Sequence, residues 1–476
     1  MNTWPRIIQG GMGIGVSSWR LARAVSLSGQ IGTVSLVAGP HLMARRLQLG
    51  DVNMLRPLQV FPVPEVAEQI RDKYWLREKT PIPMFSLSPS RELSWLTLFA
   101  GFAEVWLAKE GHGGVVAGNL LEKVQTPTLY TMLGAMWAGV DAFIIGAGLP
   151  TQIPDILDAL CEHRPAKYRV SVLDGGPSQE MTLDIEVLLS WVSASSCQAV
   201  RNIQIKRPAF FPIVSLDATA GILWKKTGKR CDGFIVEHPV VAGGHNPSPR
   251  GWKGDVNEHG EPIYGERDVV NIANMKQFEV GKVEVPFWLA GGYARPAKLE
   301  EAVSLGATGI QCGSIFALCN ESGISPHWKQ ELIRQAYRGE LSVYSDARAS
   351  PTGFPFQVVE MPGTVSDGQV YQDRPRICNL GYLRMPYVTK KGLGYRCASE
   401  PVEDYVHKGG KVEDTVGRKC LCNNLLAQVD LGMEHDGVKE PPIITLGKDT
   451  GFIRALVSDE NGSYTASDAI HYLTGV

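Results

Sequence analysis

Eight short apolar runs punctuate the first 314 residues: "RIIQG" (6–10), "GTVSLVAG" (32–39), "GVVAGNLL" (114–121), "DAFIIGAG" (141–148), "FFPIVSL" (210–216), "GFIVEHPV" (233–240), "PFWLAGG" (286–292) and "TGIQCGS" (308–314). They are largely continuous rather than alternating. A strand apolar on both faces must be covered on both faces, which a parallel sheet flanked by helices provides. Between several runs lie segments with helical spacing: "SSWRLARAVSLSG" with Ser17 or Ser18 as a cap, "TPTLYTMLGAMWAG", "LDATAGILWKKTG", and "RPAKLEEAVSLGA" closing on Gly306. Eight strand units of this kind predict an α/β fold, a (β/α)8 TIM barrel, ahead of an open doubly wound sheet.

Two stretches exceed the spacing of the repeat. Residues 40–112, after the second strand, hold "VPEVAEQIRDKYW" and "ELSWLTLFAGFAEVWLAKE", both helical in pattern. Residues 163–209, after the fourth, hold an insertion with a further strand in "KYRVSVLDG". After a last helix, "HWKQELIRQAYRGE" (327–340), Pro, Gly, Asp and Tyr dominate. A boundary near 340 follows, with residues 1–340 as the barrel and 341–476 as an irregular C-terminal extension packed on it.

Apolar residues make up 44% of the chain and charged residues 20%, an ordinary globular balance. A net charge of −2 without a basic block gives no footprint for nucleic acid or anionic lipid, so small molecules are the expected partners. The most apolar stretch, "TMLGAMWAGVDAFIIGAGLP", is broken by Asp141 and glycines, and the N-terminus lacks the build of a secretory signal. Nine cysteines, an odd number, suit a reducing compartment. The expectation is a soluble, cytoplasmic protein.

Three motifs carry chemistry. "QGGMGIGVSSWR" (9–20) has glycines without dinucleotide spacing: Val16 stands where the third glycine belongs, and no Asp or Glu occurs before Asp51. Gly10, Gly11 and Met12 either make a turn or let backbone approach a flat ligand. Gly291-Gly292 and Gly313-Ser314 end two successive strands separated by one helix, the arrangement in which barrel backbone N–H groups grip a phosphate without any lysine. His245, in "VAGGHNPSPRG", follows the sixth strand at the rim where barrel enzymes keep catalytic groups, and could exchange a proton near neutral pH. His238, inside the run, reads as structural. Cys378, Cys397, Cys420 and Cys422, all in the extension, could supply four thiolates to zinc or an iron–sulfur cluster, but their spacing matches no standard pattern and free, partly buried thiols are expected.

"IIQGGMGIGVSSWRLARAVS", "LGAMWAGVDAFIIGAGLP", "AGGHN" and "LAGGYARPAKLEEAVSLGATGIQCGSIFA" occur in an order that resembles the nitronate monooxygenase family, formerly the 2-nitropropane dioxygenases, over residues 5–325. The resemblance implies an FMN-containing TIM barrel. It places Gln9, Gly10, Gly11 and Met12 beside the isoalloxazine ring, Asn119 against the flavin, Gly291, Gly292, Gly313 and Ser314 on the FMN phosphate, and His245 as base or substrate-orienting group. It implies oxidation of a nitronate or similar carbanion with O2 as acceptor. Relatives in the family include NAD(P)H-dependent FMN enoyl reductases of fatty-acid and polyketide synthesis, for which an acyl-carrier protein would be a partner. Ser314 stands where Thr is usual, a mild change; Asn246 stands where many members have Arg, and this, with a C-terminal extension that typical members lack, leaves substrate identity open.

Overall fold

A computed structural model describes residues 4–78 and 80–475. Each of the eight apolar runs contains one strand of a single parallel sheet: β1 (Ile7–Gln9), β2 (Gly32–Ser35), β3 (Val116–Leu121), β4 (Ala142–Gly146), β5 (Ala209–Val214), β6 (Phe234–Glu237), β7 (Phe287–Ala290) and β8 (Gly309–Cys312). From β2 to β8 every strand pairs in parallel with the next, and β8 pairs with β1. The remaining seam closes where Gln9 N donates to Ile31 O and Ile31 N to Ile7 O, each at 3.0 Å, around a parallel bridge from Ile8 to Ile31. The chain is a (β/α)8 barrel.

The interior is packed, as barrels of eight strands require. Ile8, Ile31, Ala117, Ile144, Phe211 and Trp288 belong to one buried cluster, small residues on some strands making room for large ones on others. Trp4 lies edge-on to Phe211, ring centroids 5.0 Å apart. Trp288 donates its indole N–H to Pro5 O at 3.0 Å. The end carrying the strand N-termini is thereby filled, and open space is left to the other mouth.

The long apolar stretches are explained by helix pairing. Helix Arg91–Lys109 is buried along nearly its whole length against helix Thr128–Trp137. Two glycines set their separation: a Cβ on Gly134 would lie 1.9 Å from Leu98 O, and one on Gly101 2.4 Å from Thr131 O. Among the described residues no helix is long and apolar enough to cross a membrane.

The structure departs from the sequence-based layout in three places. The insertion after β6, residues 238–286, contains 3-10 turns and a two-residue hairpin in place of a crossover α-helix. Ser18 is the N-cap of helix Trp19–Leu27 without a side-chain cap bond, and Ser17 is not a cap at all. A carboxylate distant in sequence does that work: Trp19 N donates to Glu104 Oε2 at 3.1 Å, and Arg46 pairs with the same carboxylate. Thirdly, the chain beyond 340 ends in helix Ala466–Thr474, which packs against helices Trp19–Leu27 and Pro296–Ser304, the first and seventh of the barrel. That is where an eighth barrel helix sits. Helix Pro326–Arg338, which follows β8, packs instead on Ile453–Leu456.

Candidate functional site

The loops that leave the C-terminal ends of the strands surround one cavity, about 1470 Å³ of non-atom space counted to its open mouth. Nine of the ten residues singled out in the sequence line it: Gly10, Gly11, Met12, Asn119, His245, Gly291, Gly292, Gly313 and Ser314. The tenth, Gln9, does not. Its side chain is fully buried; its Oε1 accepts from Thr33 N at 2.8 Å, and its Nε2 donates to Ser17 Oγ at 2.7 Å. Gln9 is a brace beneath the first loop. Ser17 completes that brace, accepting from Met12 N and donating to Gly10 O, both at 2.9 Å. Gly11 is glycine because of Asn119, since a Cβ there would fall 2.2 Å from the Asn119 side chain. Asn119 itself is held by its Nδ2, which donates to Ile144 O at 3.0 Å.

The paired-glycine loops form a backbone cradle. Gly291 and Gly292 have φ of +85° and +80°, a conformation that side-chain-bearing residues rarely adopt. A Cβ on Gly291 would also lie 2.8 Å from His238 Cβ. Among the described residues, the N–H groups of Gly292, Gly313 and Ser314 donate to no protein acceptor. Ser314 Oγ accepts from Gly447 N at 2.8 Å, which leaves the hydroxyl proton free to be donated. Gly447 belongs to a segment of the extension fastened across this side of the mouth: Lys448 N donates to Val241 O at 2.9 Å, and Gly244 N to Thr445 Oγ1 at 3.0 Å. Asp449 also lines the cavity, its charge countered by Arg295 at 2.9 Å.

His245 lines the cavity from the loop after β6, held edge-on against Phe356 at 4.9 Å between ring centroids. Its Nε2 bonds Ser350 Oγ at 2.8 Å, and Ser350 Oγ in turn bonds Thr352 Oγ1 at 2.8 Å. Its Nδ1 has no protein partner among the described residues. Burial, reinforced by the nearby Lys123 cation, pushes the imidazole pKa well below its ordinary value. The lowered pKa favours the neutral ring, which offers one donor and one acceptor nitrogen. His238 does not line the cavity, and its Nδ1 accepts from Val240 N at 3.2 Å.

The sequence reading missed two kinds of residue. Glu237, the last residue of β6, lines the cavity without an ion-pair or hydrogen-bond partner among the described residues, and burial pushes its carboxyl up to about 8. A lone carboxylate inside "GFIVEHPV" was the available signal. Gln311, in β8, also lines the cavity with a buried Oε1 that has no partner among the described residues. The second kind comes from the extension, which supplies Phe356, Tyr382, Leu383 and Leu421 to the wall; Tyr382 is pinned by His41 Nδ1 at 2.6 Å. No periodicity marks these positions. The four extension cysteines are free, and only Cys422 lines the cavity. Among the described residues no three His, Cys, Asp or Glu side chains are grouped so as to hold a metal ion.

No protein-family model matches this sequence, and no curated protein matches it significantly. Solved structures do. FabK from Thermotoga maritima is 14% identical over 99% of this chain and 92% of its own, with a TM-score of 0.48. A nitroalkane oxidase from Streptomyces ansochromogenes is 13% identical over 99% and 95%, with a TM-score of 0.43. The enoyl reductase domain of MlnA from the macrolactin biosynthesis cluster of Bacillus amyloliquefaciens is 11% identical over 99% and 94%, with a TM-score of 0.47. At these identities and scores, function has to be argued from this chain's own residues.

Proposed function

We propose that this chain is an FMN-dependent oxidoreductase that oxidises a nitronate or a similar stabilised carbanion with O2 as acceptor. The observation that supports it most is one cavity in which backbone donors without protein acceptors, at Gly292, Gly313 and Ser314, share a largely apolar wall with a neutral His245. The residues present fit FMN. The free amides and the Ser314 hydroxyl would hold its phosphate, and the Arg295 partner keeps Asp449 from opposing the anion. Gln311, whose buried Oε1 lacks a donor, and Asn119 would meet the polar edge of the ring. When bound, FMN supplies a two-electron acceptor that passes its electrons on to O2.

The chain's own groups do the rest. A nitronate arrives already ionised, so no strong base is needed, and a neutral imidazole can hydrogen-bond to its oxygens without being titrated. With Nε2 occupied by Ser350, Nδ1 is the ring nitrogen left for the substrate. The apolar wall of Val37, Leu121, Ile213 and Leu383 excludes water and strengthens that hydrogen bond.

Purified protein should show the visible absorbance of oxidised flavin, and the colour should persist on anaerobic mixing with NADPH. Absence of flavin would overturn the cofactor assignment. Rapid bleaching by NADPH would replace the oxidase reading with an enoyl reductase that consumes NAD(P)H and works beside an acyl-carrier protein.

A further inference from the structure

The turn that follows β3 buries a lysine with nothing to pair it. Lys123 Nζ is closed off from solvent and meets no hydrogen-bond acceptor among the described residues. It lies over the face of Phe354, 3.4 Å from the ring centroid. Burying an ammonium without a counter-charge is unfavourable, and an aromatic face offsets only part of that. Leu121 and Val124, on either side in the chain, line the cavity, so the lysine stands at its rim. Lys123 itself does not line it; the amine is turned to Phe354 instead.

Phe354 is the movable part of this contact. The ring is 39% exposed, and the residue makes no backbone hydrogen bond among the described residues. The chain on both sides is fastened: Arg418 Nη1 donates to Ser350 O at 2.7 Å, and Asn246 N to Pro355 O at 3.0 Å. Ser350 holds His245 Nε2, and Phe356 packs edge-on against the same imidazole. One short loop, residues 350–356, therefore touches His245 at both ends and covers Lys123 in between.

We propose that Lys123 anchors a carboxylate of the substrate, which is an organic acid that displaces the Phe354 ring and presents its reacting carbon to His245. This rests on the carbanion-oxidising reading given above and narrows its substrate. Moving the ring off the amine gives up a contact that only a negative charge more than restores, so the loop admits an acid and discriminates against a neutral compound of the same shape. A carboxylate suits the place better than a phosphate, which calls for several donors: Arg418, which reaches the same loop, is committed to the carbonyls of Arg348 and Ser350. Burial alone pulls the Lys123 amine down to about 7, and a bound carboxylate would hold the proton on it.

Butanoate and its neutral counterpart butanamide are titrated by calorimetry into the purified full chain, and Lys123 is labelled with acetic anhydride and located by mass spectrometry. We expect butanoate to bind about ten- to a hundredfold more tightly than butanamide, the worth of a hydrogen bond to a charged group, and to protect Lys123 from acetylation. Lys123→Met should abolish the preference for the acid. Phe354→Ala should let Lys123 acetylate, in the absence of acid, as fast as the surface lysines. Neither readout needs flavin or turnover. An apoprotein that binds butanoate at Lys123 would overturn the cofactor assignment alone. A flavoprotein that oxidises nitronates yet binds butanoate and butanamide alike would overturn this proposal alone. So would a Lys123→Met protein that keeps the preference, or a Lys123 that butanoate leaves unprotected in the unaltered chain.

Discussion

His245 and Glu237 end or follow the same strand, and burial drives them in opposite senses: the imidazole stays neutral because its pKa falls, the carboxyl because its pKa rises to about 8. A pair of titratable groups pushed apart in this way offers one neutral hydrogen-bond donor and one acid in a single pocket. His245→Ala should lower turnover about 10²- to 10⁴-fold, the range for a positioned proton or hydrogen-bond donor, with flavin content unchanged. Ser350→Ala, which frees Nε2, should cost less, about tenfold, corresponding to one net hydrogen bond of about 1.5 kcal/mol; steady-state kinetics on flavin-loaded protein checks both. Glu237 also makes a prediction about stability. Its folded pKa is above its unfolded value, so its stabilising contribution is complete below the ordinary glutamate range and is lost as pH rises through about 8. Glu237→Gln removes that loss. The variant should match the parent in thermal melts at pH 5 and exceed it by about 1–2 kcal/mol at pH 9, a figure reduced from the full shift because the carboxyl borders an open cavity.

At the scale of elements, what sequence can show is what short-range pattern determines. All eight strands were visible because a strand covered on both faces is an unbroken apolar run. The glycine turns at Gly291-Gly292 and Gly313-Ser314 were visible because they punctuate two such runs in succession. Contacts between elements distant in sequence were not visible: nothing in "SSWRLARAVS" says that Glu104 will cap its helix, and nothing in "RIIQG" says that Gln9 will turn its amide to Thr33. The insertion after β6 was hidden because its chain carries no period of either kind. The same distinction separates two glycine substitutions. Gly292→Ala places a Cβ at φ +80° and should strain the loop by about 1 kcal/mol while weakening flavin retention, seen as apoprotein in the purified pool. Gly134→Ala puts a Cβ 1.9 Å from Leu98 O, a backbone atom that cannot step aside. Overpacking of this kind costs about 1–3 kcal/mol or more, so this variant should melt well below the parent without any selective effect on flavin.

For the whole molecule, the question is whether the chain beyond 340 is cargo or structure. Its first part walls the cavity through Phe356, Tyr382 and Leu421, its middle fastens Gly447 to Ser314, and its last helix fills the gap between the first and seventh barrel helices. That helix is well defined at both ends: Thr465 and Asp468 cap each other's backbone N–H groups, and the chain leaves through Gly475 at φ +70°. Ahead of it Tyr464 is buried, its hydroxyl donating to Ile315 O at 2.7 Å. Removing residues 465–476 therefore strips Ala466, Ala469, Ile470 and Leu473 from the core and exposes the apolar faces they cover. Burial of the Ile and Leu side chains alone is worth about 1.5–3 kcal/mol each, against a total stability of about 5–15 kcal/mol for a folded chain. We expect the shortened protein to lose at least 10 °C in melting temperature, by the usual proportion of about 2–4 °C per kcal/mol for large domains, or to become insoluble, even though no residue removed touches the cavity. A truncation at 464 that melts with the parent would show that the barrel closes without an eighth helix, and would leave the wall segments as the extension's whole contribution.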